Sequence, residues 1–415
     1  MEWLSEGANS WQLTAATLVG LMSIPGLVVL YGGVMQKRWS VNSMMMAFVA
    51  FAIVLVLWAL FGFKMAFGTP IHLADSGFFA NFWGKPESIL GSGSLLERAS
   101  IPEYPDLEFA FPLASLAYYQ IVFAAITPIL MLGSVLGRIN FKAWIPFVAL
   151  WTVFVYTINA FLIWGGGFFA QHGAVDYAGG FVIHLSAGIS GFVAAALVGP
   201  RLQRDREVDA PNNLAMVAVG AGLLWLGWNG FNGGAWYEAG GIASAAVLNT
   251  NLCTAVAFLG WMALDYLTGR KPSLIGSVNG MIVGLVAITP GAGFVNGWGA
   301  MAIGAFSSVI VYFALNYLSR TAPFRNVDDT LGVIYTHGFA GVAGGLLVGV
   351  FANSSMAETA LSGAISGGGF ELLGWQALTA LWVIVFSAAG TFVLLKLVGL
   401  VAITPGAGFV NGWGA

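Results

Sequence analysis

Apolar residues run along this chain in stretches of about 20, separated by short polar segments, which is the alternation of helices crossing a bilayer. Eleven stretches are readable, at 11–34, 42–66, 109–134, 144–163, 177–199, 213–235, 246–267, 274–291, 299–318, 332–352 and 374–397. The pattern predicts an all-α polytopic membrane protein of eleven transmembrane helices, because a hydrocarbon core of roughly 30 Å needs about 20 helical residues. Glu2 and Glu6, rather than Lys or Arg, precede the first stretch. It is also too long for the apolar region of a cleavable signal, so it is expected to stay in the mature chain. Residues 67–107 carry Pro70, Pro86, Pro102 and Pro105 with Glu87, Glu97, Glu103 and Asp106, and read as an ordered outer loop. Trp164-Gly165-Gly166-Gly167 and Ser366-Gly367-Gly368-Gly369 read as turns outside the bilayer, where glycine supplies positive φ.

The basic residues orient the chain. Lys37, Arg38, Arg138, Lys142, Arg201, Arg204, Arg206, Arg270, Lys271, Arg320, Arg325 and Lys396 fall on one side of this topology, and Lys64, Lys85 and Arg98 on the other. The basic side is the cytoplasmic one, so the N-terminus is expected outside and the C-terminus in the cytoplasm. Spans 1–5 and 6–10 form two halves, at about 11–199 and 213–352, with the eleventh helix at about 374–397. An odd number of helices per half makes the second half inverted relative to the first, an arrangement that builds a site near the membrane midplane. Composition agrees: 58% of the residues are hydrophobic and 8% charged, with a mean hydropathy of +0.84. The net charge of -3 excludes little. Fifty-seven glycines suit close helix packing in lipid. The single Cys253 excludes an intramolecular disulfide and reads as a packing residue.

Two histidines stand out against this background. His184-x-x-x-Gly188-x-x-Gly191 recurs as His337-x-x-x-Gly341-x-x-Gly344, each followed by Leu-Val-Gly. An ionisable ring inside a membrane span marks a functional site, and two rings at matching places in two halves point to one shared central site. A metal centre is the competing reading of two histidines, but no third His, Cys or carboxylate falls in the matching spans, and zinc usually takes three or four protein ligands. His72 and His172 fall in outer loops and are expected to be solvated. No P-loop, G-x-S-x-G, dinucleotide fingerprint, paired catalytic carboxylate or basic stripe is present, which argues against an enzyme, a resident cofactor or nucleic-acid binding.

Several segments together resemble the ammonium transporter family (Amt/Mep/Rh), in its bacterial and archaeal Amt form. They are Pro25-Gly-Leu-Val-Val-Leu-Tyr-Gly-Gly33, Trp164-Gly-Gly-Gly, Asp176-Tyr-Ala-Gly-Gly-Phe-Val-Ile-His184-Leu-Ser-Ala-Gly, Gly227-Trp228-Asn-Gly-Phe231-Asn-Gly-Gly234 and Thr336-His337-Gly338, in family order over residues from about 10 to 397. The resemblance implies an eleven-helix homotrimer in a cell membrane, with a narrow pore for ammonium and ammonia in each subunit between two inverted five-helix halves. It implies that Trp164 and Tyr119 are vestibule aromatics, that Phe123 and Phe231 close the pore, and that His184 and His337 line it below. Trp228 belongs to the same stretch as Phe231. Asp176 would cap the fifth helix and favour a nearby cation through its charge. Ammonium is a small cation with N–H donors, which suits the π face of Trp164. One departure is visible: the family often has a serine four residues after the second phenylalanine, and this chain has Ala235, so the capture site loses one acceptor.

An ammonium sensor and an Rh-type electroneutral ammonia or carbon dioxide channel are the alternatives to a transporter. Residues 398–415 are identical to residues 283–300, which diverged repeats do not achieve over eighteen positions, and they read as an artefact standing in place of the family's polar tail. That tail is where relatives of this type meet PII-type signal proteins, so such a partner is in doubt for this sequence.

Overall fold

The structure is a computed structural model and describes residues 2–207, 210–357 and 362–399. Eleven long helices account for most of it: α1 (Glu6–Val34), α2 (Lys37–Phe67), α3 (Leu113–Val135), α4 (Phe141–Gln171), α5 (Gly180–Val198), α6 (Leu214–Gly233), α7 (Gly241–Leu267), α8 (Leu274–Ile288), α9 (Gly297–Arg320), α10 (Ile334–Phe351) and α11 (Glu371–Val398). Ten of them are long and apolar enough to cross a membrane. The exception is α8, expected to reach residue 291. Its 15 residues span roughly 22 Å, and the chain then folds into a buried turn over residues 289–294 instead of continuing. The segment 400–415, which holds most of the duplicated stretch, lies outside the described residues.

Local chemistry explains where the helices begin. Side-chain oxygens of Ser5, Asn140, Asn213, Ser273 and Asn296 accept from backbone N–H groups of the first turns of α1, α4, α6, α8 and α9, occupying donors that have no partner within the helix. Five helices contain a π-helical turn, at Met22–Gly26, Trp58–Gly62, Thr152–Tyr156, Gly180–Leu185 and Ile334–Phe339. The first surrounds Pro25, which has no N–H to give the ladder. The last two each contain one of the paired histidines.

Burial separates central from peripheral helices. In α3, 94% of the apolar stretch is buried, against 28% in α2 and 39% in α7 and in α11. α3 packs on α1, α2 and α5, and α11 lies along α4, α5 and α10. The segment between α2 and α3 is ordered, with a short hairpin of β1 (Pro70–Ile71) and β2 (Trp83–Gly84) and a helical turn at Ser92–Leu96. Trp83 Nε1 ties it to Thr157 of α4 at 2.9 Å. Both triple-glycine runs are turns, with positive φ at Gly166, Gly367 and Gly369.

Candidate functional site: a ring stack through the helix bundle

The π-helical turns in α5 and α10 are set by one repeated device. Asp176 Oδ2 accepts from the backbone N–H groups of Phe181 and Val182, each at 2.9 Å, and Oδ1 accepts from Gly179 at 3.2 Å. All of the carboxylate's hydrogen bonds thus go to the start of α5. Burial pushes its pKa up to about 6, opposed by those backbone donors. At the other end of the bundle Asp329 Oδ2 accepts from Ile334 N–H at 2.8 Å, at the start of α10. Gly179 and Gly332 both take positive φ, 109° and 69°. The shared pattern is therefore Asp-x-x-Gly-x-x-x-x-His, and Asp329 caps α10 as Asp176 caps α5, a match that the motifs quoted from the sequence do not include.

The two histidine helices cross on glycine. A Cβ at Gly188 would lie 2.4 Å from Gly338 N, and one at Gly341 would lie 2.6 Å from Gly180 O. These glycines follow His184 and His337 by one turn, so the His-x-x-x-Gly repeat brings the backbones close enough for the rings to meet. His184 and His337 face each other through Nδ1 atoms 3.2 Å apart, with ring centroids 5.3 Å apart. One Nδ1 donates and the other accepts, which leaves Nε2 of each ring turned outward from the pair. His184 is fully buried and its Nε2 has no hydrogen-bond partner among the described residues. His337 is 7% exposed and lines a cavity of about 370 Å³ that extends along Trp228, Tyr31 and Asn279 to Asp329 and Pro211.

The aromatic residues continue the stack away from the cavity. Phe231 lies 5.8 Å from His184, Phe123 lies 4.2 Å from Phe231, and Trp164 meets Phe123 edge-on at 6.4 Å. Tyr119 packs 4.6 Å from Phe123 and its hydroxyl donates to Phe231 O at 2.6 Å. Trp164 is oriented by its Nε1 hydrogen bond to Asp176 O at 2.6 Å and by stacking on Phe67 at 6.5 Å. Trp228 stacks on His184 at 5.3 Å and is anchored by its Nε1 to Thr289 Oγ1 at 2.8 Å. Eight of the nine residues singled out in the sequence are thereby in one continuous group: Trp164, Asp176, Tyr119, Phe123, Phe231, Trp228, His184 and His337. The ninth, Ala235, is half-buried in the turn that ends α6. His72 and His172 stand apart from this group, exposed, with Nδ1 of each on a backbone carbonyl.

Phe123 and Phe231 with His184 form a dry layer, since all three are buried. Thr330, which lines the cavity, accepts from Arg138 Nη1 at 2.8 Å and so joins it to a neighbouring ionic cluster. Asp328 Oδ1 accepts from Arg201 Nη2 at 2.9 Å, and Arg138 Nη1 lies 3.4 Å from Oδ2. Burial disfavours the Asp328 carboxylate, but hydrogen bonds from Arg201 and the charges of both arginines outweigh it and hold the pKa below the ordinary range.

The chain and its helix bundle are matched closely among known proteins. The profile of the Ammonium Transporter Family matches residues 10–401. The chain belongs to that family. It is 47% identical to ammonium transporter 3 member 2 of Oryza sativa subsp. japonica, over 96% of this chain and 85% of the relative. It is 48% identical to ammonium transporter 2 of Arabidopsis thaliana, over 95% and 83% respectively. The crystal structure of Candida albicans Mep2 superposes with a TM-score of 0.81 at 28% identity, covering 95% of this chain and 85% of that one. A structure described as a sensor Amt protein superposes with the same TM-score at 25% identity, covering 96% and 95%. This ammonium transporter family member is therefore a multi-pass membrane protein whose substrate is ammonium or ammonia, and its family is a transport family, not an enzyme class.

Proposed function

We propose that the chain moves ammonium by separating it into ammonia and a proton. The cation is captured at Trp164 and Tyr119, where a π face attracts charge without chelating it strongly enough to block release. Ammonia crosses the Phe123/Phe231 layer, because removing an ion from water into so narrow an apolar passage is costly. The proton travels separately along His184 and His337 and rejoins ammonia in the cavity below. Two adjoining buried rings resist double protonation, since desolvation and like charge both oppose it. No standing positive charge then blocks the passage.

The observation that carries this reading is the 3.2 Å Nδ1–Nδ1 contact directly beneath the buried phenylalanine pair. The Trp164 end faces outward and the Arg138 end faces the cytoplasm of a cell membrane, consistent with the bias of Lys and Arg. The halves at 11–199 and 213–352 are inverted repeats, supported by the matched Asp-x-x-Gly-x-x-x-x-His segments of α5 and α10. The working unit in this reading is a homotrimer.

Purified protein in liposomes tests the proposal: ammonium gradients should drive current. Ammonia flux without current would remove the separate proton path and favour an electroneutral channel. Ammonium binding with neither flux nor current would favour a sensor, a reading that the likeness to a sensor Amt protein keeps open.

A further inference from the structure

Ala235 stands where a hydroxyl is often found in the family, and the structure holds a different hydroxyl two residues further on. After α6 the chain folds back over α3. Tyr237 N–H donates to Gly234 O at 3.0 Å, and Gly234 approaches Tyr119 so closely that a Cβ would lie 2.5 Å from its ring. Tyr237 ends this turn at φ 62°, the one positive φ at a residue other than glycine among the described residues. An aromatic side chain seldom adopts that conformation, and it persists only where surrounding contacts impose it. Those contacts are visible. The Tyr237 ring meets Phe109 at 5.3 Å and Tyr119 edge-on at 6.1 Å, and its hydroxyl oxygen accepts from Gln120 Nε2 at 2.7 Å.

Gln120 follows Tyr119 on α3 and is 3% exposed. Its Oε1 has no hydrogen-bond partner among the described residues. A buried amide oxygen left in this way is costly unless a donor reaches it. The Tyr237 phenol is held neutral, because burial pushes its pKa well above the ordinary value. Two neutral oxygens thus lie close to Tyr119, and a substrate that carries only N–H donors suits them as acceptors. They attract it without the strong grip of a carboxylate.

We propose that Tyr237, with the Gln120 amide oxygen beside it, supplies the acceptor that Ala235 lacks and sets the affinity of the capture site. This rests on the reading of Trp164 and Tyr119 as that site. Tyr237→Phe keeps the ring and removes the oxygen. In liposomes its half-saturating ammonium concentration should rise about fivefold, the size of one hydrogen bond, with maximal current per folded protein retained. Ala235→Ser in the Tyr237→Phe background should recover most of the loss, whereas Ala235→Ser alone should shift half-saturation by less than about twofold.

Trp164→Leu, measured alongside, separates the two levels of inference. If it weakens half-saturation while Tyr237→Phe does not, the Tyr237 proposal is overturned and the capture site stands. If neither changes the concentration dependence, the capture reading itself fails. A fall in maximal current or folded yield at unchanged half-saturation would make Tyr237 a structural residue only, and overturn the proposal. Should Tyr237→Phe fail to fold, Ala235→Ser alone decides: a several-fold tightening would mean that no acceptor was in place.

Discussion

The starts of α5 and α10 use one sequence device in two surroundings. Asp176 and Asp329 each precede a positive-φ glycine by three residues and a histidine by eight. Each caps the π-helical turn that carries its histidine. Yet Asp176 is sealed beneath Trp164, with its acceptors filled by three backbone N–H groups, whereas Asp329 borders the 370 Å³ cavity and neighbours the arginine-held Asp328. Identical local chemistry therefore aims two rings at each other, and the packing around each half decides that one side is dry and the other open.

The largest test of that pairing is removal of a ring. His184→Ala and His337→Ala should each abolish selective ammonium current, lowering it by more than about tenfold or replacing it with potassium leak. The double variant should be little worse than the more impaired single variant, because groups acting as a unit are non-additive. Current and potassium leak normalised to folded protein are the readout. Well-folded Ala variants with unaltered selectivity would remove the relay.

Next in size is the difference between the two caps. Asp176→Ala strips a buried turn of a charged acceptor serving three N–H groups and should cost roughly 2–3 kcal/mol, while Asp329→Ala, on the cavity side, should cost about 1–2 kcal/mol. Thermal unfolding in detergent orders them. Equal losses would mean that burial does not distinguish the two ends.

Trp164→Leu should have a smaller, one-sided effect. Loss of a cation–π face is worth about 0.5–2 kcal/mol, or several-fold in apparent affinity. It should appear when ammonium is supplied at the Trp164 face and not when it is supplied from the Arg138 face. An equal shift from both sides would place the effect on the shared pore.

The smallest effect is in pH, and its sign is opposite in the two regions. Asp176 has a folded pKa raised to about 6, so folding takes up a proton there, and the stability it contributes is lost as pH rises from the usual carboxylate range through about 6. Asp328 has a lowered folded pKa, so its contribution is present above the usual carboxylate range and is lost as pH falls below it. Between pH 7 and 4 the stability of the parent protein relative to Asp176→Asn should therefore rise on acidification. Relative to Asp328→Asn it should fall at the acid end. Parallel melting curves would contradict both assignments.

Much of this arrangement was readable before any fold was known. The order of the helices and ten of the eleven expected spans follow from hydropathy, since a bilayer imposes its thickness on each span separately. α8 ends at Ile288, three residues short of its expected bound, because the apolar run continues into residues 289–291, which turn back inside the protein. The site residues were legible as types in motifs, but Asp329 was not, because a carboxylate after a loop reads as solvated unless its spacing from His337 is compared with that of Asp176 from His184. Nor did the glycine count distinguish Gly188 and Gly341 from packing glycines elsewhere in the chain.

What the sequence determined by itself is local: which segments suit lipid, which turns need glycine, and which two spans carry an ionisable ring four residues before a glycine. Whether those rings share a proton, and which hydroxyl stands near Tyr119, were decided only by tertiary structure. His184 and His337 are 153 positions apart, and Gln120 and Tyr237 are 117 apart. Contacts of that separation exist only when glycine crossings and buried caps bring helices to one depth and rotation, and no periodicity within a single helix records the depth at which it meets another.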